Sequence, residues 1–146
     1  MKFFGTGGTG FLLSNLNLTW VDPDHADILI SFGCPASEEP KRLAESILTT
    51  SDMIKLALKT KKKLIYASSA GAKCLATPYE IQKRALEDCI LTLIPDACVL
   101  RIPRVYAKSR QTGLIRKLKE SKVPEKDISN EVEFITLEQF KNWFFD

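Results

Sequence analysis

The chain has 146 residues, a net charge of +3, 45% hydrophobic residues and 27% charged residues. That length suits one domain, and that composition excludes a disordered chain. Its four cysteines (Cys34, Cys74, Cys89, Cys98) have no CxxC spacing and His25 is the sole histidine, which excludes a zinc site and a secreted disulfide scaffold. The charge selects no nucleic-acid partner, because no basic face with interleaved aromatics stands out. No apolar run nears the ~20 residues that span a bilayer, and glycines interrupt the apolar stretch after Lys2 too soon for a signal peptide. A cytoplasmic protein is expected, with neither a membrane nor a nucleic acid as partner.

Lys2-Phe3-Phe4 reads as a short buried strand opening into a glycine turn. Phe11 to Leu18 is a short helical candidate, followed by a loop around Asp22-Pro23-Asp24-His25. Asp27 to Phe32 is a continuous apolar run, as expected of a strand buried on both faces. Ser37 can cap a helix that runs to about Lys59, with Leu43, Ile47, Ile54 and Leu58 as its apolar stripe. Lys59 to Lys63 reads as a solvated helix end, where cations suit the dipole. Leu64 to Ala67 is the next buried strand, ending in Ser68-Ser69.

Pro78 begins a second long helix, whose inner side reads as Ile81, Ala85, Leu86, Cys89, Ile90 and Leu93. Cys98 to Leu100 is a fourth strand. Thr112 to Ser121 is a basic amphipathic helix, Val123 to Glu131 a polar loop, and Glu133 to Ile135 a last short strand. Thr136-Leu137-Glu138-Gln139 fits a capping box for a helix that buries Phe140 and Phe144. Strands alternating with helices predict a mostly parallel sheet of about five strands with helices on both faces.

Two constellations carry chemistry. Gly5-Thr6-Gly7-Gly8-Thr9-Gly10 lies between a strand and a helix, where glycine lets the backbone approach a pyrophosphate and the helix N-terminus faces it. Such a turn also serves as plain structure. Tyr79 and Lys83 stand four apart and share a helix face. A nearby ammonium favours the phenolate of Tyr79, which could then exchange a proton with a substrate hydroxyl. Ser69, ending a strand, could hold the substrate oxygen. A YxxxK pair alone is common on helices; the order of glycine turn, serine-ended strand and YxxxK is what distinguishes this chain.

Those residues resemble the extended short-chain dehydrogenase/reductase family of nucleotide-sugar epimerases and dehydratases. Gly7-Gly8-Thr9-Gly10-Phe11-Leu12 resembles its TGGTGFIG fingerprint. Ala26 to Ile30 with Gly33 resembles its fourth strand, and Leu64 to Gly71 its VYxSSAGVYG stretch. Pro78-Tyr79 through Lys83 to Glu87 is similar to PYxxSKxxxE, Leu100 to Tyr106 to LRxxNVYG, and Glu133 to Phe140 weakly to RDFIHVDDL.

The resemblance implies a Rossmann-type domain over residues 1–146 that binds NAD or NADP through Gly7, Gly10, Phe11, Leu12, Gly33, Lys83 and Pro103. It implies catalysis by Ser69, Tyr79 and Lys83 on a small-molecule substrate such as a sugar nucleotide. It also implies a homodimer through the two long helices, with Met53 and Leu56 as candidate contacts.

The departures are equally specific. Family members are about twice as long, and only Leu13 to Ala26 stands where two strands and a helix are usual. Asp22 or Asp24 could replace the acid that meets the adenosine ribose, or be plain turn residues. Leu13 stands at the third glycine's place and Arg104 at that of an expected asparagine. Ser69 and Tyr79 are ten apart, closer than usual. Without its neighbours the first strand is expected at a sheet edge needing cover or a partner. A non-catalytic remnant that binds a nucleotide or protein is the competing expectation.

Overall fold

The computed structural model describes residues 1–7, 10–32, 37–107 and 134–145. The chain forms two compact units, Met1–Ile102 and Pro103–Asp146.

The first unit is built on a five-stranded, wholly parallel sheet. Its strands are β1 (Lys2–Thr6), β2 (Thr19–Trp20), β3 (Ile28–Ser31), β4 (Lys63–Ser69) and β5 (Cys98–Ile102), in the order β2-β1-β3-β4-β5. Helix α1 (Phe11–Ser14) follows β1, α2 (Pro40–Thr60) links β3 to β4, and α3 (Pro78–Leu93) links β4 to β5. This is the truncated Rossmann-type α/β architecture that the alternation of apolar runs and helical patterns predicts. Parallel strands need crossover connections, and the two long helices supply them.

Register fixes which side chains share a face. Phe4, Leu29 and Leu64 form one row, and Thr6, Ser31 and Tyr66 another. Leu29, Leu64 and Tyr66 pack with Met53, Ile54 and Ala57 of α2 and with Leu86, Ile90 and Ile94 in and after α3. Both long helices therefore cover the same face. The opposite face buries Phe3, Ile30 and Ala67.

The structure departs from the sequence reading in four places. First, β1 is not the sheet edge, because Thr19–Trp20 pairs beside it and takes that position. Second, α1 is a single turn rather than Phe11 to Leu18. The Asn15 side-chain amide donates to the Phe11 carbonyl at 2.6 Å, and Asn17 adopts a left-handed φ of 52°. Asparagine tolerates that conformation and competes for main-chain bonds, so the helix ends.

Third, the buried stripe of α2 is Ser46, Thr50, Met53, Ile54 and Ala57. Ile47 and Leu58 are 49% and 50% exposed, and Met53, expected at a dimer contact, is core at 4%. Likewise α3 buries Lys83, Leu86, Glu87 and Ile90, whereas Ile81 and Leu93 are exposed. Polar residues occupy the inner stripe, so apolarity alone mis-set the rotation of both helices. Fourth, Lys62 is no simple solvated cation. Its ammonium donates to the carbonyls of Pro23 and Asp24, clamping the 3-10 turn Pro23–His25. Asp22 caps that turn and Asp24 lies within it, as turn residues would.

In the second unit, β6 (Arg104–Tyr106) pairs in parallel with β7 (Phe134–Thr136), and α4 (Leu137–Phe145) follows. The expected capping box is present. Thr136 Oγ1 accepts the Gln139 N–H at 3.1 Å, and Gln139 Oε1 accepts the Thr136 N–H at 2.8 Å. Phe140 is fully buried, with Trp143 and Phe144 ring centroids each 6.1 Å away. The sequence candidates Gly33 and Cys34, the helix Thr112 to Ser121 and the loop Val123 to Glu131 lie outside the described residues.

Candidate active site

The chain runs from β1 to β2 on one side and then crosses to β3 on the other. The sheet therefore has a topological switch point between β1 and β3, the place where open parallel sheets form a crevice at their carboxyl ends. The glycine turn begins there. Gly7 has φ +84°, a left-handed conformation in which a side chain is strained. A Cβ on it would also meet the Phe32 Cβ at 2.8 Å. The Gly7 carbonyl accepts the Gly10 N–H at 2.8 Å, closing the turn, and Gly10 caps α1. Phe11 and Leu12 open α1, and Leu13 is buried. Backbone without side chains at Gly7 and Gly10 is what close approach to a pyrophosphate requires.

Ser69 closes β4, two strands away, at the same carboxyl edge. Its Oγ accepts the Gly71 N–H at 3.2 Å, which leaves the hydroxyl proton able to donate elsewhere. Lys83 reaches down from α3 onto the same strand. Its ammonium donates to the Ala67 carbonyl at 3.0 Å, and the residue is 2% exposed. The register that pairs Thr6 with Ser31 and Ser31 with Tyr66 puts Gly7 and Ala67 one row further along. Two strand spacings, roughly 10 Å, separate those backbones.

The Lys83 Nζ also lies over two aromatic rings, 5.0 Å from the Tyr66 centroid and 5.6 Å from the Tyr79 centroid. Ring faces carry negative charge density and help hold a desolvated cation. Tyr79 follows Pro78 in the first turn of α3, where Thr77 caps the helix by accepting the Glu80 N–H at 3.2 Å.

The Tyr79 phenol does not move in the direction expected from the neighbouring ammonium. Burial, and then the charge of Glu80, push it up to about 12. The phenol is therefore protonated at neutral pH and suited to donate a proton. Tyr66 is raised further, by burial first and then by Tyr79 and Glu87. Its hydroxyl is buried without a hydrogen-bond partner among the described residues.

Two neighbouring groups were given no role by the sequence reading. The Tyr66 ring lies beside the Lys83 ammonium, and Glu87, one turn beyond Lys83, is buried and accepts a bidentate pair from Arg101, Nε to Oε1 at 3.1 Å and Nη2 to Oε2 at 2.7 Å. The signal for Glu87 was its four-residue spacing from Lys83, which puts both on the inner face of α3. Of the remaining candidates, Pro103 opens the second unit. Among the described residues no cluster of metal-ligating groups exists, and no helix is long and apolar enough to cross a membrane.

No family profile and no curated protein matches the sequence. Solved structures do match in fold. A nucleoside-diphosphate sugar epimerase from Corynebacterium glutamicum matches 99% of this chain and 43% of its own, with 13% identity and a TM-score of 0.73. A UDP-rhamnose synthase from Acanthamoeba polyphaga mimivirus matches 75% of this chain and 58% of its own, with 14% identity and a TM-score of 0.58. A short-chain dehydrogenase/reductase superfamily protein from Agrobacterium tumefaciens, solved with NAD bound, matches 73% of this chain and 50% of its own, with 13% identity and a TM-score of 0.58. The fold is that of these proteins, and this chain spans about half of their length.

Proposed function

We propose that the chain is a shortened member of the extended short-chain dehydrogenase/reductase family. In this reading it binds NAD or NADP at its carboxyl-edge crevice and acts on a hydroxyl or ketone of a sugar nucleotide or similar small molecule. The observation that carries this reading is the shared edge. Gly7, Gly10, Ser69 and Lys83 gather at the carboxyl ends of one parallel sheet, beside its switch point. In this reading the backbone at Gly7 and Gly10 meets a dinucleotide pyrophosphate, with Phe11 and Leu12 beside it at the start of α1.

When bound, the nicotinamide exchanges hydride with the substrate carbon. The chain's own residues handle the proton. Ser69 donates its hydroxyl to the substrate oxygen and orients it. Tyr79, protonated in the resting site, gives its phenolic proton to that oxygen as a ketone is reduced. Lys83 holds the nicotinamide ribose and stabilises the tyrosinate left behind.

Titration with NADH and NADPH tests this directly. Binding of one of them at or below millimolar concentration is expected. Tyr79→Phe should keep that binding and lose turnover, and full turnover by this variant would refute the mechanism.

A second reading, a non-catalytic remnant that keeps the fold to bind a nucleotide or protein, draws support from the one-turn α1 and the two-residue β2. It predicts no turnover with either cofactor. In both readings the protein is cytoplasmic and contacts neither membrane nor nucleic acid. The exposed Ile47 and Leu58 on α2 and Ile81 and Leu93 on α3 suit a homodimer, which sedimentation equilibrium would detect.

A further inference from the structure

We infer that Glu80 is a positioning residue for Ser69 and Tyr79, its single carboxylate holding both ends of the connection between them. This rests on the reading of those residues as a site. The connection starts at the 3-10 turn Ala70–Lys73 and ends at the Thr77 cap of α3. In a capping box, the third helical residue returns its side chain to the cap's own N–H. Glu80 instead reaches one residue further, and its Oε2 accepts the Ala76 N–H at 2.8 Å. Its other oxygen packs on Gly71, so closely that a Cβ there would collide with Oε1. Gly71 in turn donates its N–H to Ser69 Oγ.

One carboxylate thus ties the first turn of α3, which carries Tyr79, to the residue that orients the Ser69 hydroxyl. The same charge is the second cause, after burial, of the raised Tyr79 phenol. A negative group beside a phenol disfavours its ionisation, so Glu80 also keeps the proton that the site would donate. Glu80 occupies an unspecified place in the PYxxSK pattern, so the role belongs to this chain's own short connection.

Amide hydrogen exchange and tyrosinate absorbance test this on the full chain without any cofactor. Glu80→Ala should accelerate exchange at the Ala76 amide about tenfold, the equivalent of about 1.4 kcal/mol for one lost bond. Glu80→Gln keeps an acceptor oxygen and should preserve most of that protection. Both variants should ionise Tyr79 at lower pH than the wild type's value of about 12, with Tyr79→Phe in each background assigning the signal.

Should Glu80→Ala not fold, Gly71→Ala displaces the carboxylate instead and should accelerate the Ala76 amide in the same way. Ala76 exchange within about twofold of wild type in the alanine variants, or an unmoved Tyr79 titration in both Glu80 variants, overturns the inference. A wild type that binds neither NADH nor NADPH would sink the proposed function and leave these local outcomes untouched.

Discussion

Tyr66→Phe probes the oddest feature of the site, a tyrosine buried under a lysine with its hydroxyl unbonded. Burying a hydroxyl without a partner costs about 1–3 kcal/mol. Removing it leaves a void smaller than a methyl group, worth at most about 1 kcal/mol. The ring remains, so Lys83 keeps the aromatic face 5.0 Å away. The variant should therefore gain about 1 kcal/mol at neutral pH, or about 3 °C in Tm for a chain of this size.

Alkaline pH separates this account from general repacking. An unfolded tyrosine ionises near pH 10, whereas burial, Tyr79 and Glu87 raise Tyr66 well above that in the fold. Above about pH 10 the unfolded chain releases a proton that the folded chain keeps, so each such tyrosine removes about 1.4 kcal/mol of stability per pH unit. That stability is complete below the unfolded value and is lost as pH rises towards the folded one. Phenylalanine has no proton to release. Thermal melts followed by circular dichroism should show the variant's advantage widening above about pH 10. A variant that melts several degrees lower at neutral pH, or an advantage constant with pH, would refute the unbonded, desolvated hydroxyl.

Gly5→Ala should cost more than about 4 kcal/mol or abolish soluble expression, because its Cβ would overlap the Ile30 carbonyl of the paired strand, and backbone cannot yield as a side chain can; an unchanged melt would contradict the β1–β3 register. Met53→Ala, 4% exposed, should lose about 2–5 kcal/mol in urea unfolding. Leu48→Ala, 67% exposed, should stay within about 0.5 kcal/mol, and equal losses would mean that α2 is rotated from its described face. Lys83→Met should hold stability within about 1 kcal/mol, since a buried ammonium's desolvation roughly cancels its Ala67 and aromatic contacts. The same variant should weaken NAD(P)H binding at least about tenfold by fluorescence titration, whereas a loss of stability above about 3 kcal/mol would make Lys83 structural.

What the sequence disclosed follows from which forces are local. Apolar runs such as Asp27 to Phe32 and Leu64 to Ala67 announce strands buried on both faces, and the Thr136–Gln139 box announces a helix start, because one short segment holds the whole cause. The inner faces of α2 and α3 were misread because Ser46, Thr50, Lys83 and Glu87 are buried, and what holds a buried charge lies elsewhere in the chain. Glu87 needs Arg101, and Lys83 needs Ala67 with two aromatic rings. The strand Thr19–Trp20 is two residues long and leaves no periodicity to detect. Ser69, Tyr79 and Lys83 were legible as a set only through their order. The upward move of the Tyr79 phenol depends on burial, which no spacing encodes.

The positions of these groups explain how a short β2 leaves the carboxyl edge of β1, β3 and β4 undisturbed. Every strand that contributes to the edge is β1, β3 or β4, and these are locked together by continuous register. Strands on the far side of β1 fix nothing in that register, so β2 can shrink to two residues without moving Gly7 relative to Ala67. What a short β2 does forfeit is the neighbouring strand end, where an acidic group would meet an adenosine ribose. Asp22 and Asp24 are committed instead to a turn clamped by Lys62. On the proposed function, proton transfer and pyrophosphate contact would thus fall to β1, β3 and β4, whose register a short β2 leaves untouched, while adenosine recognition would fall to the strand end that a short β2 lacks.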